Sequence, residues 1–165
     1  MTRTELAEMY EEYFPKIYNH IYYKVLSQDV SNDLTSSIFL KVVANIGSFD
    51  ATKASFKTWI YTIANNTLID YYRRRKTDAP LDSVDEPREH FDEQTNVFKE
   101  EALGALHNAL STLEPRMREI ISLKYNGEMS IRDIAKLLEI NESTASTIHM
   151  RGLAKLRKIL SDFPE

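Results

Sequence analysis

The stretch from Phe49 through Lys53, Phe56, Lys57, Trp59, Tyr61, Asn65 and Asn66, running past Asp70 into Arg73-Arg74-Arg75-Lys76, interleaves aromatic rings with lysines and amides. Rings stack on unpaired bases while nearby cations follow a phosphate backbone. Lys53, Lys57, Trp59, Asn65, Asn66, Arg73 and Arg74 are therefore candidates for holding a melted strand. Phe56, Ile60 and Ile63 fall near one helix face, so many of these side chains also suit a core, and Trp59 fits either place. The basic tract also suits plain compensation of a helix dipole at its C-terminus.

A second constellation lies near the other end. Ser130 to Leu138, a three-residue turn Glu139-Ile140-Asn141, and a segment opening Glu142-Ser143-Thr144-Ala145-Ser146-Thr147 have helix-turn-helix dimensions. Such a unit sets the first turns of its second helix into the major groove, where short polar side chains and longer donors meet bases and phosphates. Ser143, Thr144, Ser146, Thr147, Met150, Arg151 and Lys155 are the candidate readers. A bundle hairpin is the plain alternative, because Ser and Thr also cap helices. Glu139 stands where this motif usually takes a left-handed glycine, at a cost of about 1 kcal/mol.

Other chemistry finds little support. With no cysteine there is no thiolate nucleophile, disulfide or cysteine-bound metal. The four histidines are scattered without metal-like spacing, and four glycines form no phosphate-cradling loop. No nucleophile and base stand in a coherent pair, so neither a catalytic residue, a metal nor a cofactor is expected, and the chain is read as a non-enzyme. The formal charge of -4 disfavours a protein that merely coats nucleic acid. Charge distribution says more: residues 77–96 hold seven acids against Arg88 alone, directly after the basic tract. No apolar run approaches the roughly 20 residues of a membrane span, and the start lacks a secretory layout, so a cytoplasmic protein with no membrane partner is expected.

The elements that must position these residues are helical throughout. Leu6, Tyr10, Tyr13, Ile17 and Ile21 recur at helical spacing from Thr4, a plausible N-cap, with a break or kink expected at Pro15. A second helix is expected from Ser31, as its cap, to about Ile46, with Leu34, Ile38 and Val42 inward and Gly47 closing it. Ser55 to about Arg75 forms a third. Residues 77–96, with two prolines and little apolar content, read as an acidic flexible linker. Beyond it, helices are expected over Val97–Leu110, from Pro115 to about Tyr125 with a stop at Asn126-Gly127, over Ser130–Leu138, and from about Glu142 to Leu160. The expected fold is all-α: two small helical domains, 1–76 and 97–165, joined by the linker.

Phe-x-Thr-Trp-Ile-Tyr-x-Ile-Ala-x-Asn from Phe56 to Asn66, followed by Asp70 and the arginines, resembles the promoter-melting segment of bacterial sigma factors of the extracytoplasmic-function group. Leu113-Glu114-Pro115-Arg116 through the helix-turn-helix is similar to their second DNA-binding region, in the same order and after a linker. The resemblance implies a subunit that brings core RNA polymerase to promoter DNA. Its first domain would bind the beta-prime clamp and capture flipped bases with the loop from about Ile46 to Ser55, supported by Trp59 and Asn66. Its second would meet the beta flap and read a distal duplex element, with Ser146, Thr147, Met150 and Arg151 nearest the DNA. The acidic linker would thread the RNA exit channel.

The chain also departs from that group. Around the second helix, where acids and glutamines usually meet the clamp, Asp33 is kept, but Asn32, Ser36 and Ser37 replace expected partners. Asp33, Ser36, Ser37 and Lys41 are the candidate polymerase contacts. Phosphorylation of Thr35, Ser36 or Ser37 by a Ser/Thr kinase would restore negative charge there. Ser146 and Ile148 stand where basic residues are common, which weakens isolated DNA binding. An anti-sigma factor is a further possible partner. Two rivals remain: a sigma-like protein that sequesters polymerase or an anti-sigma factor, and a stand-alone helix-turn-helix regulator.

Overall fold

The computed structural model describes residues 1–78 and 97–161. Among them every regular element is a helix. The chain divides into two units, Met1–Arg88 and Glu89–Glu165.

The first unit packs three helices, α1 (Arg3–Val25), α2 (Gln28–Asn45) and α3 (Phe56–Asp78), against one another. Their shared core is Ile17 and Ile21 from α1, Ile38 and Val42 from α2, and Ile60, Tyr61, Ala64 and Leu68 from α3. The i, i+4 repeats within each set give each helix one apolar stripe, and three stripes close on one another. Truncating one of these, such as Ile38, to alanine costs about 2–5 kcal/mol.

Several boundaries differ from those read off the sequence. The cap of α1 is Thr2, not Thr4: its hydroxyl accepts from the Glu5 amide at 3.2 Å while the Glu5 carboxylate accepts from the Thr2 amide at 2.6 Å. Glu5 falls three residues after Thr2, so only that cap completes the reciprocal box. Those hydrogen bonds to Thr2 hold the Glu5 carboxyl below its usual range. The helix runs unbroken through Pro15, against the expected break. Proline removes one donor, and the carbonyl that loses it belongs to Glu11, an exposed residue. The α2 helix starts a turn early, capped by Ser27, whose hydroxyl accepts from the Val30 amide at 3.4 Å. Ser31 is buried inside it and donates to the Ser27 carbonyl at 2.6 Å, so it is no cap. The third helix, capped by Ser55 through the Thr58 amide at 3.2 Å, extends to Asp78 and takes in the first two residues expected in the linker. The rest of that expected linker, 79–96, lies outside the described residues.

The second unit holds α4 (Val97–Thr112), α5 (Pro115–Ile121), α6 (Ile131–Leu138) and α7 (Glu142–Leu160). Pro115 opens α5 at a position where its missing amide costs nothing. The expected helix to Tyr125 stops being α-helical at Ile121 and continues as one wide turn over Ser122–Asn126, where the Gly127 amide reaches the Ser122 carbonyl at 3.0 Å. The core gathers Leu113, Met117, Ile120, Ile121, Leu123, Met129, Ile134, Ala135, Ala145 and Leu156. Gly152 of α7 is buried against α5.

Candidate nucleic-acid interface

Phe49, Phe56, Trp59 and Tyr13 form one aromatic cluster, with ring centres 5.4 Å apart for Phe49 and Phe56, 5.3 Å for Phe49 and Trp59, and 5.4 Å for Tyr13 and Phe56. The loop that carries Phe49 is a chain of tight turns. A 3-10 turn covers Ile46–Ser48, and Asp50 accepts from the Thr52 amide at 2.9 Å and the Thr52 hydroxyl at 2.6 Å. Those two bonds hold the Asp50 carboxyl below its usual range. Lys53 stands exposed on the same loop. Trp59 is half-buried, so the two places open to it in the sequence are both partly occupied: its ring rests on the two phenylalanines and keeps part of its surface in solvent.

From Trp59, steps of seven residues reach Asn66 and Arg73, and two helical turns nearly return to the same face. Trp59, Asn66 and Arg73 therefore share one stripe about 21 Å long, with Asn66 and Arg73 exposed. Arg74 flanks the stripe. Asp70 lies on it and meets Arg73 at 3.8 Å, an exposed pair of small energetic weight. Lys57 is half-buried and lies off the stripe. Asn65 does not join the reader expected of it. It is half-buried, and its Oδ1 lies 3.0 Å from Nε2 of buried His20, whose ring stands edge-on to Tyr61 at 5.3 Å. Asn65 turns partly inward because it stands one helical turn after Tyr61, a core position of α3. A cleft of about 280 Å³ beside the cluster is lined by Glu5, Glu8, Met9, Glu12, Tyr13 and Phe56, and its acids repel a phosphate backbone.

On α2, Asp33 and Ser36 are exposed and Ser37 is half-buried, as expected of a surface face. Thr35 is not on it: the residue is fully buried, so its expected phosphorylation is withdrawn. It falls one turn before Ile38 and Phe39 and belongs to the core stripe. Lys41 donates to the Thr67 hydroxyl of α3 at 3.0 Å, which ties it partly to the fold. Leu40 and Val43, absent from the sequence reading, are 74% and 47% exposed. Helical spacing joins them to Ser36 in one outward patch. The signal was available: helical spacing sets both outside the buried stripe of Thr35, Ile38, Phe39 and Val42.

The helix-turn-helix is built as the spacing predicts. Ser130 accepts from the Asp133 amide at 3.1 Å and caps α6. Glu139 adopts φ 56°, ψ 44°, the left-handed conformation expected at that turn, and the Ile140 amide closes on the Ala135 carbonyl at 3.0 Å. Leu26 and Glu128 are left-handed as well, whereas no described glycine is. On α7, Ala145, Gly152 and Leu156 face inward. Ser143, Thr144, Thr147, Met150 and Arg151 are exposed, Met150 by 67%, and Ser146 is half-buried. Lys155 lies farther round, 3.9 Å from Glu114. His149 is structural: its Nε2 meets the Tyr125 hydroxyl at 2.9 Å, and burial, then the charge of Lys124, lowers its pKa. Tyr125, 54% exposed on the wide turn, was not foreseen as its partner.

Two family profiles match this arrangement: one described as Sigma-70 region 2 over residues 9–77, and one described as Sigma-70, region 4 over residues 103–156. The chain belongs to the sigma-70 family. It is a sigma factor of the extracytoplasmic-function type, the class of subunit that directs RNA polymerase to start transcription. It is 28% identical over 162 residues to the ECF RNA polymerase sigma factor BldN of Streptomyces coelicolor, a match covering 94% of this chain and 60% of BldN. It is 29% identical over 167 residues to the ECF RNA polymerase sigma factor SigW of Bacillus subtilis, covering 94% of this chain and 89% of SigW. The fold is similar to that of the sigma factor RpoE from Bartonella quintana, solved in complex with the anti-sigma factor NepR, at TM-score 0.75 and 20% identity over 97% of this chain and 99% of that one. It is also similar to CnrH, solved with the cytosolic domain of CnrY, at TM-score 0.71 and 17% identity over 99% of this chain and 92% of that one.

Proposed function

We propose that this sigma factor binds core RNA polymerase through the outward face of α2, opens a promoter with α3 and reads a distal duplex element with α7. Asp33, Ser36 and Leu40 meet the polymerase clamp, and the second unit meets the beta flap. Trp59 and Asn66 support bases flipped from the melted strand while Arg73 and Arg74 follow its phosphates. The observation that carries this reading is the single stripe joining Trp59, Asn66 and Arg73 on α3. Polymerase supplies the catalysis, and this chain supplies the address, in the cytoplasm. No helix among the described residues is long and apolar enough to cross a membrane. Run-off transcription on genomic fragments, with core polymerase from the same organism, tests the reading. Specific transcripts appear only when the chain is added, and their absence from every fragment refutes it.

An anti-sigma factor is the second partner we propose. RpoE, a protein of similar fold, was solved with one. The apolar patch of Leu40 and Val43 gives such a partner, or the clamp, something to bury. Ser36 and Ser37 remain the positions where a kinase could restore the missing charge.

A further inference from the structure

Read as a major-groove helix, α7 presents an unusual outward surface. Ser143, Thr147, Met150 and Ala154 succeed one another along it at three- and four-residue steps, and all four are exposed. None carries a charge. The Thr147 hydroxyl is turned back along the helix and donates to the Ser143 carbonyl at 2.9 Å, so its proton is committed and its methyl remains for the groove. Met150, 67% exposed, has only a weakly accepting thioether. Cations accompany this uncharged line: α7 carries Arg151, Lys155, Arg157 and Lys158 against the single acid Glu142. An uncharged line with methyl and thioether groups, accompanied by cations, fits duplex DNA, whose phosphates border a groove.

Within that groove the one apolar feature on any base edge is the thymine C5-methyl. The long donors that make paired contacts to guanine are absent from the first turns of the outward line, where Ser143 and Thr147 stand. We propose that α7 recognises its duplex element through thymine methyl groups, with Thr147 and Met150 making the contacts and Arg151 held at a neighbouring phosphate. This rests on the reading of α7 as the distal-element reader, and it adds the chemical feature that is read.

The test uses the full chain with core polymerase on a genomic fragment that gives run-off transcript. The upstream duplex element is located by footprinting and remade with deoxyuridine in place of thymidine there alone, which removes the methyl and keeps the pairing. Initiation by the native chain falls about 4-fold for each contacted methyl, the loss expected for one buried carbon. Met150→Ala and Thr147→Ser, both at exposed positions, lower initiation on the thymidine template and lose sensitivity to deoxyuridine at the base each one touched. Equal initiation from both templates by the native chain overturns the methyl proposal while promoter recognition stands. A Met150→Ala chain that remains as sensitive to deoxyuridine as the native chain also overturns it. Failure of the native chain to give transcript from any fragment removes the reading beneath it.

Discussion

A methyl group on Gly152 would stand 2.6 Å from Cδ1 of Ile121, so α7 and α5 touch at a point that admits no side chain without movement. Gly152→Ala gains about 1 kcal/mol in helix propensity but overpacks at a cost of about 1–3 kcal/mol. The net expectation is destabilisation of the second unit by about 1 kcal/mol. Ile121→Val deletes the clashing atom, so the double variant is more stable than the two single losses added together. Hydrogen exchange of α5 and α7 amides measures both effects.

Glu139 occupies a left-handed backbone that a side chain disfavours by about 1–2 kcal/mol. Glu139→Gly relieves that strain, less the extra freedom it gives the unfolded chain, and stabilises by about 1 kcal/mol. Thermal unfolding followed by circular dichroism shifts upward by a few degrees. An unchanged or lower midpoint contradicts the strain.

His149 has a pKa below the ordinary imidazole value of 6.5, because burial and then Lys124 disfavour its charged form. The folded state thus binds fewer protons than the unfolded one as pH falls through 6.5. Stability is undiminished above that value, drops as pH falls from it towards the lower folded pKa, and levels off below. His149→Gln removes this contribution to the slope, which lies below about pH 6.5. Imidazole shifts followed by NMR titration give the pKa directly, and a midpoint above that of a free histidine contradicts the sign.

Leu40 is the large apolar residue that α2 exposes most. Leu40→Asp leaves the fold intact and weakens core polymerase binding by at least about 30-fold, the scale of a centrally placed contact. Ser36→Glu adds the charge missing beside Asp33 and tightens the same complex, whereas Ser36→Ala does not. Binding by fluorescence anisotropy separates these outcomes.

Helix type and order were legible because the apolar spacing is regular: Ile17 and Ile21, Ile38 and Val42, and Ile60 proved buried, while Phe56 and Ile63 beside Ile60 are half-buried. The turn at Glu139 was legible for another reason, since a helix-turn-helix calls for a left-handed residue at that position of its short turn. Caps were harder. Thr2 and Thr4, or Ser27 and Ser31, offer the same hydroxyl, and only a partner three residues on, such as Glu5, decides between them. On the sites, Asn65 and Asn66 are the same residue type, yet a rotation of about 100° sends one to His20 and the other to solvent. Tyr125 pairs with His149 across 24 residues through a widened turn that no local pattern announces.

Trp59 is the chain's sole tryptophan, and it sits half-buried at one end of the α3 stripe. Its emission consequently reports from a single known spot, with no background from the second unit. An oligonucleotide stacking on that ring would quench it, so the unlabelled protein carries its own optical probe for the moment a strand arrives.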